Sequence, residues 1–199
     1  WCLAAGDWVL AHHALPASDP FSFTSVHASW VLDYPACQVA FAWLGGHLGL
    51  RAVLVFSTLV SVGAGLLLVL PNARSFEARA TGLFLVLGSV YVGSDDLSAR
   101  GQVFGDLGVA LLLWFLFRER RRERISPLVP LVLTAVWTNL HASFLLSIVG
   151  PWIAAGAHLL DPPSERPRLR AFAGWSVLAA IGTGLNPYSY ALVLDVLRL

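Results

Sequence analysis

Apolar runs alternate with short polar or arginine-bearing segments along the chain from residue 48 onward. The first long run covers residues 48–70, and later runs cover 80–93, 103–117, 127–138, 143–160, 171–185 and 188–199. About 20 consecutive apolar residues span a bilayer core as a helix, and several runs approach or exceed that length. The pattern predicts an all-α, multi-pass transmembrane helix bundle of about six to seven membrane helices, some of them short or broken.

Residues 1–48 show no clean span and are predicted to form an external loop that carries two interfacial helices, while residues 49–199 supply the transmembrane helices. The first interfacial helix is expected over Leu3 to Ala14. The second is expected to begin at Asp33 as N-cap and to end at Gly45-Gly46, which makes it roughly 16 Å long and too short to cross. Both are expected to lie along the membrane interface.

Composition agrees with a membrane protein. The chain is 57% hydrophobic and 13% charged, its mean hydropathy is +0.70, and a soluble domain of this size needs a more polar surface. The net charge of +1 gives no reason to expect nucleic acid as a partner. The chain begins with Trp1 and contains no methionine, so a fragment of a longer protein is expected. Cys2 and Cys37 could form one bridge, but two unpaired thiols are favoured.

The segment Arg118 to Arg124 sets the expected orientation. It holds five arginines and two glutamates beside an apolar run, and such segments stay on the cytoplasmic side. Counting crossings places Asn72 to Arg79 and Asp161 to Arg170 on the same side, and both contain more arginines than acids. Residues 1–48 and Ser94 to Gln102 are then external, and the protein is expected in the cytoplasmic (inner) membrane.

Residues Pro127 to Leu160 are too long for one span. A continuous helix would measure roughly 51 Å at 1.5 Å per residue, against a hydrocarbon core of about 30 Å. A break is therefore predicted near Asn139 to Ala142. Broken helices are tolerated at membrane depth where their backbone lines a cavity or is buried in protein.

Candidate site residues map to the external side. Asn139 and His141 lie at the predicted break and Asn186 at the next interruption, and each could simply cap a helix end. Arg100 could bind a phosphate through its guanidinium or pair with Asp95 or Asp96.

Two acidic positions also leave alternatives open. Asp19 could be a catalytic carboxylate, although the neighbouring Pro20 favours a turn in which Ser18 or Asp19 bonds nearby amides. Asp95-Asp96 could bind a divalent cation, with a solvated loop as the favoured alternative. The cofactor requirement is thus unknown, and no protein-ligated metal site is predicted.

Several short motifs, taken together and in order, resemble bacterial multi-pass proteins related to GT-C glycosyltransferases. They are Trp1-Cys-Leu-Ala-Ala-Gly6, Leu15-Pro-Ala-Ser-Asp-Pro-Phe-Ser-Phe-Thr24, Trp30, Leu44-Gly-Gly-His-Leu-Gly-Leu50, Arg100-Gly-Gln102, Trp137-Thr-Asn-Leu-His141 and Asn186-Pro-Tyr188. The chain departs from the family pattern at Cys2, where a histidine is usual, and at Tyr34-Pro35, which replaces Glu-Trp. An upstream acidic residue of the pattern would lie before Trp1.

The resemblance implies a polyprenyl-phosphate-linked sugar as donor and a catalytic carboxylate in the first external loop. It implies catalytic roles for Asp19 and His141, and substrate-binding roles for Arg100, Gln102, Asn139 and Asn186. The expected activity is transfer of the sugar to an acceptor at the outer membrane face. A transporter or flippase of a lipid-linked substrate, and a non-catalytic membrane subunit, are the alternatives.

Overall fold

The computed structural model describes residues 1–23, 30–92, 100–121, 123, 125–157 and 169–197. Within these ranges the chain is all-helical, as predicted, and has no strands. The elements are α1 (Cys2–His12), α2 (Pro35–Leu48), α3 (Leu50–Val69), α4 (Phe76–Val92), α5 (Gln102–Arg120), α6 (Val129–Trp137), a 3₁₀ helix (Ala142–Leu145), α7 (Leu146–Ala157), α8 (Leu169–Thr183) and α9 (Ala191–Val196).

Helices α1 and α2 pack closely on each other. Gly6 makes this possible, because a Cβ there would overlap the Gln38 carbonyl oxygen and lie 2.6 Å from the Ala42 Cβ. The predicted end of α2 at Gly45-Gly46 is wrong. The helix continues to Leu48, where Gly49 at φ 81° supplies the left-handed conformation that stops it.

Asp33 does not cap α2 as predicted. The N-cap is Tyr34, which makes no side-chain capping bond, and Pro35 takes the first helical position, where its missing N–H costs nothing. Helix α1 begins at Cys2 and ends at His12 rather than Ala14, because His13 adopts a left-handed conformation with φ 50°.

Helix α3 has 20 residues and is the one helix of the described residues that is long and apolar enough to cross a membrane. Helix α4 is shorter, at 17 residues, and packs on α3. Much of the apolar surface of this hairpin faces outward, with Phe84 75% and Tyr91 82% exposed. Of the predicted multi-pass bundle, the fold therefore shows an all-helical chain with one clear candidate span.

The remaining helices share one apolar core. Leu116 of α5, Trp137 of α6, Phe144 of the 3₁₀ helix and Phe172 of α8 are buried in it. Two buried hydroxyls stabilise the contact of α6 with α7, because Thr134 Oγ1 donates to Ser147 Oγ at 2.9 Å and Ser147 Oγ donates to the Phe144 carbonyl at 2.7 Å. Such pairing satisfies polar groups that apolar surroundings would otherwise penalise.

Two of the arginine-bearing segments, the α3–α4 loop and the end of α5, lie together at one end of the helices, which we call the arginine end and define by Asn72, Arg118 and Arg121. Arg121 Nη2 donates to Asn72 Oδ1 at 2.9 Å and so joins the α3–α4 loop to the end of α5. Arg118 Nε lies 2.7 Å from Glu123 Oε2. Arg122, Arg124 and residues 161–168 lie outside the described residues.

Candidate functional site

The break between α6 and α7 is confirmed. Helix α6 ends at Trp137, and the Leu140 amide donates to the Trp137 carbonyl three residues earlier rather than four. His141 then adopts an extended backbone, with φ −164° and ψ 143°, and caps the 3₁₀ helix. Its Nδ1 accepts from the Ser143 amide at 3.1 Å and lies 2.8 Å from the Ser143 hydroxyl. Since an amide only donates, the neutral ring carries its proton on Nε2.

The start of α5 packs directly onto this break. A Cβ at Gly101 would lie 3.2 Å from the Leu140 carbonyl oxygen, and one at Gly105 would lie 2.7 Å from His141 Nδ1. One turn further, a Cβ at Gly108 would overlap the Trp137 indole. These glycines let the α5 backbone approach closely, as small residues do between membrane helices. Arg100 and Gln102 flank Gly101 in the sequence, so their backbone lies near His141.

Helix α2 begins on the other side of the break. The Tyr34 ring stacks on His141, with centroids 5.9 Å apart and planes at 27°. The Ala36 amide donates to the Asn139 carbonyl at 3.1 Å. We call the contact among Tyr34, Gly101, Asn139 and His141 the polar junction. It joins the start of α2, the start of α5 and the end of α6.

Asn139 ties the polar junction to the end of α8. Its Nδ2 donates to the Ala135 carbonyl at 2.8 Å and to the Leu185 carbonyl at 3.0 Å. Asn186 follows and closes a turn, since its Oδ1 accepts from the Tyr188 amide at 2.8 Å. The Tyr188 hydroxyl accepts from the Leu32 amide at 3.2 Å, so this turn also positions the segment before α2. Both asparagine side chains therefore hold backbone segments together.

Asp19 forms the turn that its sequence favours. Its Oδ1 accepts from the Phe21 amide at 2.8 Å and from the Ser22 amide at 3.2 Å. The aromatic rings of Trp1, Phe21 and Trp30 pack against one another beside it. The contacts that build the polar junction do not involve Asp19. Its predicted catalytic role stays a prediction.

A cavity of about 530 Å³ opens between α3, α4 and α5, next to the polar junction. Ser61 and Gly65 of α3, Val86 and Ser89 of α4, and Gln102 and Asp106 of α5 line it. Gln102 Nε2 donates to Asp106 Oδ1 at 3.3 Å.

The electrostatics of the polar junction favour a neutral imidazole. Burial lowers the pKa of His141, and the negative charge of Asp106 opposes that shift in part. Burial raises the pKa of the Tyr34 hydroxyl, the Asp33 charge raises it further, and the Arg100 charge lowers it. Asp106 and Arg100 thus act on the two stacked rings from α5 and from the segment before it.

Five of the six predicted site residues, all but Asp19, belong to one connected region. The sequence analysis gave no role to Tyr34, Ser143 or Asp106. Asp106 was open to prediction, since it follows Gln102 by four residues and so shares its helix face. The stacking of Tyr34 on His141 joins residues that are far apart in the sequence. No local sequence pattern predicts it.

No group of three or more His, Cys, Asp or Glu side chains within the described ranges could hold a metal ion. The Asp95-Asp96 cation site suggested by the sequence lies outside those ranges. Comparison of the chain with protein-family models, with curated proteins and with solved structures finds no match in any of the three.

Proposed function

We propose that this chain is a GT-C-like membrane glycosyltransferase that takes a sugar from a polyprenyl-phosphate carrier at the outer face of the cytoplasmic membrane. The observation that carries the proposal is the packing of Gly101 on Leu140 and His141. The Arg100 charge acts on Tyr34, whose ring stacks on His141, and Gln102 lines the cavity between α3, α4 and α5. A guanidinium, an amide, a carboxylate and an imidazole are together suited to a phosphate-linked sugar.

In the proposed reaction the acceptor hydroxyl attacks the anomeric carbon of the sugar. On the resemblance, and without a contact between Asp19 and the polar junction, we infer that its proton passes to the Asp19 carboxylate, whose Oδ1 accepts from two amides. The bond from the sugar to the phosphate oxygen breaks. Arg100 stabilises the departing polyprenyl phosphate. Gln102 and Asp106 bind sugar hydroxyls, and the neutral His141 orients the head group. Asn139 and Asn186 hold the backbone that carries these groups.

The distribution of polar side chains supports an enzyme rather than a transporter. Gln102 and Asp106 line the end of the cavity near the polar junction, whereas Val69 and Gly82 line it toward the arginine end. A transport pathway needs polar groups that continue across the bilayer. Among the described residues that line the cavity, the amide and the carboxylate lie at one end and apolar residues lie at the other. This arrangement suits a lipid whose head group stays at one membrane surface.

The multi-pass topology belongs to the same proposal. Helix α3 is the clear candidate span. We infer that α4 and α5 complete the bundle together with the shorter helices α6, α7 and α8, which are interrupted by breaks in the chain. The positive-inside preference places the arginine end in the cytoplasm and the polar junction outside. A lipid-linked donor would then reach the cavity from the outer leaflet.

A donor-hydrolysis assay tests the activity without knowledge of the acceptor. The full chain in lipid nanodiscs is given short-chain polyprenyl-phosphate hexoses, and release of free polyprenyl phosphate is measured. We expect Arg100→Ala to raise KM for the donor, and Asp19→Asn to lower kcat by 10²-fold or more, as loss of a general base does. Arg79→Ala, at the other end, is the matched control. Wild-type kinetics in both test variants, or no release with any donor, would contradict the proposal.

A further inference from the structure

The two cysteines of the chain meet where α1 packs on α2. Cys2 is the first residue of α1, Cys37 lies in the first turn of α2, and their exposed fractions are 8% and 0%. Neither thiol is in a disulfide in the structure. Both belong to one apolar cluster with Phe41 and Val53, and each affects the pKa of the other. The two thiols therefore lie near each other within one packed interior.

The backbones at this contact are close for a reason that does not depend on the thiols. Gly6, one turn after Cys2, lies against the carbonyl of Gln38, the residue that follows Cys37, and leaves no space for a Cβ. A disulfide requires a Cα separation of about 4.4–6.8 Å and side chains that point toward each other. The close approach of α1 to α2 at Gly6 and the burial of both cysteines in one cluster favour such a separation.

We propose that Cys2 and Cys37 form a disulfide that joins α1 to α2. The inference rests on the proposed function to the extent that the proposed orientation places residues 1–48 outside, where disulfides persist. The structure shows the two unpaired thiols that the sequence favoured, and the proposal concerns their oxidation outside the cell.

The contact also suits the two thiols to the exchange reaction. The neighbouring Cys37 lowers the pKa of the Cys2 thiol, while Cys2 and burial raise the pKa of the Cys37 thiol. Because both thiols are buried once α1 has packed on α2, the exchange takes place during folding, before that packing is complete. The Cys2 thiolate attacks the disulfide of an oxidised dithiol oxidoreductase of the thioredoxin class, which forms a mixed disulfide and releases one thiolate of the enzyme. Cys37 then loses its proton and attacks the Cys2 sulfur, and the oxidoreductase leaves as its dithiol.

The crosslink would act on the polar junction through α2. Cys37 follows Tyr34 by three positions in the sequence, and Tyr34 stacks on His141. Fixing the first turn of α2 on α1 therefore fixes the ring that covers the imidazole. We expect reduction of the bond to lower the unfolding midpoint and to weaken donor binding without abolishing it.

Alkylation under denaturing conditions tests the proposal, because unfolding removes any protection due to burial. The full chain is extracted from cells into excess N-ethylmaleimide and denaturant, with and without prior reduction, and its intact mass is measured. We expect no adduct without reductant and two adducts after reduction. Cys2→Ser is the control and should give one adduct in both samples. Reduction should lower the unfolding midpoint of the native protein and leave that of Cys2→Ser/Cys37→Ser unchanged.

Three further outcomes separate the disulfide from the proposed function. Thiols that are free in cells and stay free in a glutathione redox buffer overturn the disulfide, whatever the donor assay gives. Thiols that are free in cells but close in that buffer support the pair and contradict the external placement. Donor release that fails in a protein with an intact disulfide contradicts the glycosyltransferase and leaves the crosslink standing.

Discussion

The α3–α4 hairpin and the polar junction show two different ways in which this chain deals with a shortage of polar surface. In the hairpin, large apolar side chains such as Leu59 and Phe84 point outward, and α4 packs mainly on α3. At the polar junction, backbone groups and side chains from four segments bond to one another around His141. The hairpin therefore needs an apolar environment, whereas the junction supplies its own polar one. The cavity of the proposed site lies between them, lined by α3, α4 and the first turns of α5.

The largest expected difference in stability between the two regions comes from replacing one glycine in each with alanine. In Gly108→Ala the new Cβ overlaps the buried Trp137 indole, and overpacking of this kind costs about 1–3 kcal/mol. Gly63→Ala is the matched control in α3, because nothing lies within 4 Å of its Cβ position, and helix propensity favours alanine there by about 1 kcal/mol. Thermal unfolding in one detergent compares them. Equal unfolding midpoints for the two variants would show that α5 is not tightly packed against the end of α6.

A smaller loss is expected from Asn139→Ala. The variant removes donors to the Ala135 and Leu185 carbonyls, and partly buried hydrogen bonds of this kind contribute about 1–2 kcal/mol in total. Asn72→Ala is the control at the arginine end, where water can replace the bonds that Asn72 makes with Leu68 and Arg121. Unfolding in urea should separate the two variants. An Asn72 variant that loses as much stability as the Asn139 variant would remove the distinction between the regions.

The protonation of His141 should make the polar junction sensitive to acid. Burial lowers the folded-state pKa of His141 below the unfolded value of about 6.5. Its contribution to stability is therefore present above that value and is lost as pH falls through it toward the folded pKa. His141→Asn keeps an acceptor for the Ser143 amide and does not titrate. Midpoints measured from pH 7.5 to 5 should fall less in this variant, and parallel curves would contradict the assignment.

The smallest expected effect lies beside the polar junction, at Asp33. Burial raises the pKa of the Asp33 carboxyl, and the facing carboxyl of Asp195 raises it further. An acid whose folded pKa is raised stabilises the fold at low pH, and this contribution is lost as pH rises through the folded pKa. Asp195→Asn should therefore raise the unfolding midpoint at pH 7.5 and leave it nearly unchanged at pH 4. A lower midpoint at pH 7.5 would mean that the two carboxylates share a cation.

Local sequence signals predicted the positions of the helices and turns better than the contacts between them. Apolar run length located α3 within two residues, and helix length alone required the break at Asn139 to Ala142. The Asp19 turn followed from the neighbouring proline. By contrast, Gly45-Gly46 was misread as a helix end, because a glycine stops a helix only where the backbone turns left-handed, and that happens at Gly49.

The candidate site was predictable as a set of residues but not as an arrangement. The break and the following loops identified Asn139, His141 and Asn186, and charge asymmetry identified Arg100. Hydrogen bonds over long sequence separations then decided what each side chain does, and these depend on the packing of α2, α5 and α8. Asn139 and Asn186 are occupied in holding backbone, while Asp106 faces the cavity with Gln102.

The claim on which the account depends is that a membrane separates the polar junction from the arginine end. Single cysteines at Ala14 and at Ser75, both exposed positions, are introduced into the Cys2→Ser/Cys37→Ser chain and treated with a membrane-impermeant maleimide. The account predicts that Ala14→Cys is labelled in intact cells and that Ser75→Cys is labelled only after permeabilisation. Labelling of Ser75→Cys in intact cells, to the level reached by Ala14→Cys, would contradict it.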